Sequence, residues 1–273
     1  MELIEILKVV VLGIVEGITE WLPISSTGHM LLVDEFIHMN VSDSFKDMFF
    51  VVIQLGAILA VVMLFWDKMW PFQTKDKSKP VIRKDVFSMW FKVVVACIPG
   101  AIVTLLFDDY IEAHLHTPTV IALALVVYGV AFIVIENWNK KRTPKVLALE
   151  DISYKTAFII GLFQVLSIIP GTSRSGSTII GALTIGVSRV AAAEFTFFLA
   201  VPVMIGLSFI KILKFGFSFT SVELMTLAIG CVVAFLVSVL VIKFLMSYIK
   251  KRDFKIFGWY RIALGVILLL YFM

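Results

Sequence analysis

Six apolar segments of this chain are long enough to cross a lipid bilayer, and no other feature constrains its fold as strongly. A membrane-spanning helix needs about 20 predominantly apolar residues. Because 60% of the residues are hydrophobic and only 16% are charged, the sequence predicts an all-α integral membrane protein. The expected spans lie near residues 45–66, 90–107, 118–137, 190–211, 221–246 and 256–273.

Positively charged side chains are concentrated in a few loops between these segments. Loops 68–92, 140–145 and 250–255 hold most of the Lys and Arg residues, which is typical of the cytoplasmic side of a membrane protein. Loops 34–47 and 107–118 are predominantly acidic, so we expect them on the outer side. The net charge of +4 therefore reflects membrane topology and indicates no nucleic-acid partner.

Two further features limit the class of protein. The chain starts with Glu2 and Glu5 in place of a basic region, so we expect no cleavable signal peptide. Cys97 and Cys231 lie within apolar segments, which predicts two packing residues and no disulfide framework.

The order of the basic loops predicts that one apolar stretch enters the membrane and returns without crossing it. Loops 140–145 and 250–255 should share a side, yet three apolar stretches lie between them. The first of these, 156–187, is broken by Pro170 and Gly171, where a helix should stop. We therefore expect a re-entrant helical hairpin, because non-helical backbone at membrane depth must be buried in protein or line a cavity.

The start of the chain has the same layout. Residues 3–33 form an apolar stretch that is broken at Pro23 and polar at the break. Two re-entrant hairpins, each followed by three membrane-spanning helices, would form an inverted-topology repeat whose hairpin tips meet near the membrane midplane. We expect a single membrane domain over residues 1–273, with one repeat over about 1–145 and the other over about 146–273.

The first break carries two carboxylates and two glycines at helical spacing. Glu16 and Glu20 are four residues apart and share one helix face, and Gly13 and Gly17 would let another helix pack closely. Paired carboxylates repel each other unless a cation binds or one is protonated. Oxygen ligands suit Mg²⁺ or Ca²⁺, so we predict a divalent-cation site. The alternative is a pair of glutamates that bond to nearby backbone or hydroxyl groups.

A serine and a histidine follow the same break. Ser25 and Ser26 are natural N-caps for a new helix, and His29 lies one helical turn after Ser26. A serine within reach of an imidazole can be an activated nucleophile. The alternative is a capping serine and a histidine that bonds to the backbone.

The second break combines one guanidinium group with hydroxyls and glycines. Residues 173–178 read Ser-Arg-Ser-Gly-Ser-Thr and open the second helix of their hairpin. A helix N-terminus attracts anions, and Arg174 would add bidentate contacts to phosphate oxygens. The alternative is an Arg174 that pairs with Glu16 or Glu20 for structure alone.

Both breaks match the motifs of a known family. Residues 16–29 read Glu-Gly-x-Thr-Glu-x-Leu-Pro-x-Ser-Ser-Thr-Gly-His, and residues 170–178 read Pro-Gly-x-Ser-Arg-Ser-Gly-x-Thr. In these motifs the chain strongly resembles the bacterial undecaprenyl-diphosphate phosphatase family, known for bacitracin resistance. The resemblance extends over the whole chain, and no motif residue is missing.

The resemblance implies an all-helical, inverted-repeat enzyme of the bacterial plasma membrane whose active site opens to the outer side. The enzyme would remove one phosphate from a polyprenyl diphosphate lipid, so that the carrier lipid returns to cell-wall synthesis; a homodimer is left open. The motif match implies roles for Ser26 as nucleophile, His29 as acid or base, Glu16 and Glu20 at the Mg²⁺ or Ca²⁺ ion, and Arg174, Ser173, Ser175, Thr178 and Thr27 at the phosphates.

Two other classes of protein use similar parts. A secondary transporter or lipid flippase would also place broken helices at the midplane, with Glu16 and Glu20 as proton or cation sites. An intramembrane serine protease would use Ser26 and His29, but it gives no reason for the carboxylates or for Arg174. The phosphatase interpretation is favoured because a single substrate explains every polar residue of both breaks.

Overall fold

The structure, a computed structural model, describes residues 2–73 and 80–272, apart from the side chains of residues 108, 109 and 112. The predicted cytoplasmic lysines Lys75, Lys77 and Lys79 lie outside the described residues, and the acidic side chains at 107–118 are not described. The α-helices in chain order are α1 (Leu3–Thr19), α2 (Ser26–Phe36), α3 (Asp43–Val52), α4 (Gln54–Leu64), α5 (Trp66–Met69), α6 (Lys84–Leu115), α7 (Pro118–Asn139), α8 (Tyr154–Val165), α9 (Arg174–Thr184), α10 (Arg189–Phe215), α11 (Ser221–Ile249) and α12 (Lys255–Phe272).

The six predicted spans are confirmed as helices that are long and apolar enough to cross a membrane. Their bounds in the described residues are Asp43–Leu64, Lys84–Phe107, Pro118–Asn139, Arg189–Phe215, Ser221–Ile249 and Lys255–Phe272. The first is interrupted at Ile53, where α3 ends and α4 begins. Cys97 and Cys231 are free thiols inside these spans, as expected.

Two pairs of shorter helices, α1 with α2 and α8 with α9, lie outside these six spans. In each pair, the chain at or before the first helix is hydrogen-bonded to the chain at the end of the second. The Lys8 ammonium in α1 donates to the His38 carbonyl after α2 at 2.6 Å, and the Asn40 amide donates to the Glu5 carboxylate at 3.0 Å. At the second pair, the Lys145 amide donates to the Gly186 carbonyl at 2.8 Å. Each pair is therefore a helical hairpin, α1–α2 and α8–α9.

Small residues bring the hairpins close to the long helices. Gly13 and Gly17 of α1 face α11, where a Cβ added at Gly17 would lie 2.8 Å from the Val237 Cβ. The predicted close helix packing at these glycines is therefore confirmed. Gly161 of α8 faces the backbone of Ala96 in α6 in the same way. In both helix pairs the sequence numbers rise together, so the paired helices are parallel.

Helices α7 and α12 pack against each other in the opposite sense. A Cβ added at Gly129 would lie 2.7 Å from the Gly258 carbonyl oxygen, and one at Gly265 would lie 2.7 Å from the Ala122 carbonyl oxygen. The contacts cross over in sequence, so these two helices are antiparallel. The helices therefore pair as α1 with α11, α8 with α6 and α7 with α12.

The centre of the bundle is occupied by α9 and α10. Residues 175–183 and 191–201 are buried without interruption, as expected for helices that are enclosed on all sides. Trp21, at the break of the first hairpin, packs edge-on against Phe197 of α10 with ring centroids 5.3 Å apart. The Ser175 hydroxyl at the start of α9 donates to the Glu20 backbone carbonyl at 3.1 Å, so the two hairpin breaks lie side by side.

Candidate active site

Both hairpin breaks end at a serine with an unusual backbone conformation. Ser25 has φ 73° and Ser173 has φ 70°, and they are the only residues other than glycine with positive φ in the described parts of the chain. Each side chain caps its helix by accepting from an amide three residues on, from Gly28 at 3.3 Å and from Gly176 at 3.1 Å. Such left-handed conformations cost of order 1–3 kcal/mol and cluster at functional sites.

The capping pattern decides which serine of the first break is available for chemistry. Ser25 is the N-cap of α2 and Ser26 is its first residue, so the hydroxyl of Ser26 is not used by the helix end. That hydroxyl donates to the Glu20 carboxylate at 3.0 Å. Of the two predicted capping serines, only Ser25 has that role.

The Glu20 carboxylate joins the two hairpins. Its Oε1 accepts from the Arg174 Nη2 at 3.0 Å, while its Oε2 accepts from the Ser26 hydroxyl at 3.0 Å. Both partners of this ion pair are almost buried, with side chains 10% and 6% exposed. Breaking a pair so far from water by removing one partner leaves an uncompensated charge, which is strongly unfavourable.

Arg174 has bonding capacity left over. Its Nη1 donates to the Thr196 carbonyl at 2.9 Å, and its Nε is buried without a hydrogen-bond partner. A guanidinium group has five N–H donors, and the described contacts use two of them. The remaining donors can bind the oxygens of a phosphate group.

The other hydroxyls of the second break hold protein groups together. Ser175 donates to the backbone carbonyl of Glu20 at 3.1 Å, which ties the two breaks directly. Thr178 donates to carbonyls of its own helix and pairs with the Thr196 hydroxyl at 2.9 Å. The Ser173 hydroxyl caps α9 and lies 3.1 Å from the Ser175 hydroxyl. The phosphate contacts predicted for these three side chains stay predictions.

Thr27 and Glu16 border the same region with unused oxygens. Thr27 is exposed in the first turn of α2. Glu16 is 1% exposed, and its Oε1 has no hydrogen-bond partner among the described residues. The carboxyl group of Glu16 interacts with the Gln54 side chain and with the charges of Glu20 and Arg174.

The arrangement of the carboxylates shows whether the site suits the predicted divalent cation. No three His, Cys, Asp or Glu side chains converge in the part of the chain that the structure describes. Mg²⁺ in enzymes is often held by one or two carboxylates together with the phosphates of the substrate and water. The buried, unpartnered oxygen of Glu16 beside Glu20 fits such a site.

His29 does not bond to Ser26. Its Nδ1 lies 2.7 Å from the Ser25 carbonyl, and its Nε2 lies 2.7 Å from the hydroxyl of Tyr260. A carbonyl can only accept, so Nδ1 carries the proton, and in the neutral ring Nε2 accepts from Tyr260. The two rings are also parallel, with centroids 5.5 Å apart. Tyr260 was not singled out by the sequence, because nothing near it in the chain marks it as a partner of α2.

Arg261 is the second residue that the sequence analysis missed. It is fully buried, and it donates to the Pro23 carbonyl at 3.2 Å and to the Gly171 and Thr172 carbonyls at 2.8 and 2.9 Å. Its described contacts include no carboxylate. The Arg261 guanidinium therefore links the two hairpin breaks through hydrogen bonds to backbone carbonyls. The signal was available, since an arginine within the apolar segment 256–273 is an ionisable group at membrane depth.

Known proteins resemble this chain over its full length. The family described as "Bacitracin resistance protein BacA" matches residues 9–267. An undecaprenyl-diphosphatase of Enterococcus faecalis is 74% identical over 99% of this chain and 98% of its own length. Proteins of the same name from Lachnoclostridium phytofermentans and Desulfitobacterium hafniense are each 62% identical over 100% of this chain, and over 99% and 98% of their own lengths.

Proposed function

The chain belongs to the bacitracin resistance protein family BacA, and from this premise we propose how its two hairpins form one phosphatase site. It is an undecaprenyl-diphosphate phosphatase of the membrane, which hydrolyses undecaprenyl diphosphate to undecaprenyl phosphate and inorganic phosphate. The product is the carrier lipid of cell-wall synthesis. The observation that carries the proposed site is the link from Ser26 through Glu20 to Arg174, which joins the two family motifs.

Ser26 is the proposed nucleophile. Its hydroxyl oxygen attacks the terminal phosphorus, the bond from that phosphorus to the bridging oxygen breaks, and undecaprenyl phosphate leaves. Glu20 accepts a hydrogen bond from Ser26 at 3.0 Å, so it is placed to orient the hydroxyl and to take its proton. Glu20 passes the serine proton to the leaving undecaprenyl phosphate. Water then attacks the phosphoserine and releases inorganic phosphate, which restores the serine.

His29 is the proposed acid or base of the second step. Its Nε2 accepts a hydrogen bond from the Tyr260 hydroxyl, and His29 lies one helical turn after Ser26, the first residue of α2. A neutral imidazole can take a proton from the attacking water and return it to the serine oxygen. Because the ring is fixed through Nδ1 by the Ser25 carbonyl, Nε2 is the atom that exchanges the proton.

Arg174 is the proposed phosphate clamp. Its unused donors, including the unpartnered Nε, can bind the equatorial oxygens of the diphosphate. Charge develops on these oxygens and on the leaving oxygen during the reaction, and preorganised donors in a buried site stabilise it. Ser173, Ser175, Thr178 and Thr27 would support the phosphates from the first turns of α9 and α2.

Glu16 and Glu20 are the proposed ligands of a Mg²⁺ or Ca²⁺ ion. The free oxygen of Glu16 and the carboxylate of Glu20 would supply the protein ligands, and the diphosphate would supply others. When bound, the ion would neutralise charge on the phosphate oxygens.

We further propose that both hairpins are re-entrant and that the halves form an inverted repeat. The ties between the start and the end of each hairpin support return to the same side. The acidic loop at 34–47 supports an outer position for the base of α1–α2, and the basic segment 140–145 supports a cytoplasmic base for α8–α9. The lipid tail would then stay in the bilayer while the head group reaches the site from the outer side. A homodimer stays a prediction.

Phosphate release by the purified protein tests the proposed site. A polyprenyl diphosphate is supplied in detergent, with and without a chelator, and Ser26→Ala is compared with Ser221→Ala, which alters an exposed serine at the start of α11. We expect activity that needs a divalent cation and that survives only in the control variant. Full activity in excess chelator would remove the cation from the proposal, and full activity of Ser26→Ala would remove the serine.

Cysteine labelling tests the membrane arrangement. After Cys97 and Cys231 are replaced, single cysteines at positions 141 and 251 should react with an impermeant reagent from the same, cytoplasmic face. Labelling of these two positions from opposite faces would contradict the re-entrant path of α8–α9.

A further inference from the structure

A second cleft lies at the end of the bundle where α7, α9 and α11 finish and α10 starts. It has a volume of about 1020 Å³, and none of the proposed active-site residues lines it. Its walls include residues 139, 140 and 142–145, at the end of α7 and just after it, and residues 183–190, which run from the end of α9 into the start of α10. The family reaction leaves this cleft without a role.

The charge of the cleft is strongly positive. One carboxylate, Glu136, lies among its lining residues. That carboxylate is already satisfied, since Glu136 accepts from the Arg189 Nε at 2.9 Å and from the Phe254 amide at 2.9 Å. The basic side chains that line the cleft are Lys140, Arg142, Lys145, Arg189 and Lys250.

Two of these cations have no partner of their own. The ammonium groups of Lys145 and Lys250 make no hydrogen bond and no ion pair with the residues that the structure describes. Both residues are exposed and line the cleft, Lys145 from the segment after α7 and Lys250 from the end of α11. Ammonium groups that line one cleft repel each other, and an anion bound in the cleft would relieve this repulsion.

The remaining walls suit a lipid better than a free ion. Leu183, Ile185, Val190 and Ile249 give the cleft an apolar side next to the membrane-spanning helices. The Arg142 guanidinium lies 3.6 Å over the ring centre of Trp138, and tryptophan is characteristic of the membrane–water interface. Basic pockets between helix ends on the cytoplasmic side are known to hold lipid head groups.

We propose that this cleft binds the phosphate head group of an anionic phospholipid of the inner leaflet. Lys145 and Lys250 hold the phosphate oxygens, while the glycerol and upper acyl chains lie along the apolar wall. The N-terminus of α10, which lines the same cleft, adds its positive dipole end. The site is independent of the proposed catalytic residues.

Lipid binding by the full-length protein in detergent tests the proposal. Native mass spectrometry counts retained phosphatidylglycerol, with phosphatidylcholine as the neutral lipid and inorganic phosphate as the free anion. The double variant Lys145→Gln/Lys250→Gln is compared with Lys141→Gln/Lys251→Gln, which removes equal charge from exposed neighbours that do not line the cleft. We expect the first variant to bind phosphatidylglycerol more weakly by about fivefold for each lysine, and the control to bind like wild type.

Additional variants and a competing anion distinguish a specific lipid site from non-specific electrostatic attraction of anionic lipid. Lys145→Arg/Lys250→Arg should retain the lipid because the charges remain, and all variants should keep wild-type phosphatase activity, which reports correct folding. Equal loss in the two glutamine variants, or equal retention of the two lipids, would overturn the proposal. Displacement of the lipid by inorganic phosphate at equal concentration would overturn the lipid assignment in favour of a free-phosphate site.

Discussion

Hairpin α1–α2 and hairpin α8–α9 align position by position when the second is shifted by 148 residues. The shared positions are Gly13 with Gly161, Ser25 with Ser173 and Gly28 with Gly176. These residues determine the backbone: the first glycine of each hairpin admits a parallel helix, and the serine caps the second helix with positive φ. The two hairpins therefore use the same local structure.

The chemically active positions differ between the same two hairpins. Glu16, Glu20, Ser26 and His29 of the first hairpin align with Gln164, Ile168, Arg174 and Ser177 of the second. In the proposed site the first hairpin thus supplies the carboxylates, the nucleophile and the imidazole, while the second supplies the cationic clamp. The comparison shows that two hairpins with the same local backbone structure carry different polar side chains. The proposed site therefore needs both hairpins.

The largest expected effect is that of removing the nucleophile from the first hairpin. Ser26→Ala should lower the rate of phosphate release by about 10³-fold or more, because no other hydroxyl among the described residues bonds to the Glu20 carboxylate. Binding of the lipid diphosphate should persist, since Arg174 is unchanged. Steady-state rates and a binding assay on the same preparation check both statements. A near-normal rate would show that Ser26 is not the nucleophile, and that His29 or a water molecule attacks the phosphorus.

Changing the clamp of the second hairpin should have the next largest effect. Arg174→Lys keeps the charge but loses the planar fork that bonds Glu20 and Thr196 together, so kcat should fall by about 10²-fold or more. The change should appear in kcat more than in KM, because the clamp is tighter on the transition state. If only KM rises, Arg174 binds substrate without assisting the reaction.

Glu16→Gln makes the first hairpin resemble the second at the position of Gln164. We expect the concentration of Mg²⁺ needed for half-maximal activity to rise by about tenfold or more, because one of two carboxylate ligands is lost. Activity should recover at high Mg²⁺. An unchanged metal requirement would place the cation elsewhere. Glu2→Gln, an exposed change just before the same helix, serves as the control.

The smallest expected effect concerns the residue that fastens the two hairpins. Arg261→Lys cannot reach Pro23 and Gly171 at once, so the breaks should shift slightly and kcat should fall by about tenfold. Thermal unfolding should also occur at a lower temperature, while Arg252→Lys, an exposed change, should alter neither quantity. If Arg261→Lys lowers stability but leaves kcat unchanged, the role of Arg261 is structural only.

The sequence predicted the features that depend on neighbouring residues. Spans follow from the length of apolar segments, and the breaks follow from Pro23, Pro170 and Gly171, where a helix breaker coincides with a run of polar residues. Pro99 and Pro202 have apolar neighbours and stay inside α6 and α10. The shared helix face of Glu16 and Glu20 and the close packing at Gly13 and Gly17 follow from helical periodicity. The matching motifs identified the reaction because both are long and specific.

Tertiary structure decided which of these groups meet. Spacing suggested that Ser26 would bond to His29. In the fold, Ser26 is hydrogen-bonded to Glu20, and His29 is hydrogen-bonded to Tyr260. Arg261 lies 238 residues from Pro23 in sequence, yet it bonds to the Pro23 carbonyl. Sequence determines local conformation through short-range sterics and hydrogen bonding. The partners of a buried charge are determined by which distant segments pack around it, because a charge excluded from water must find its hydrogen bonds within the protein.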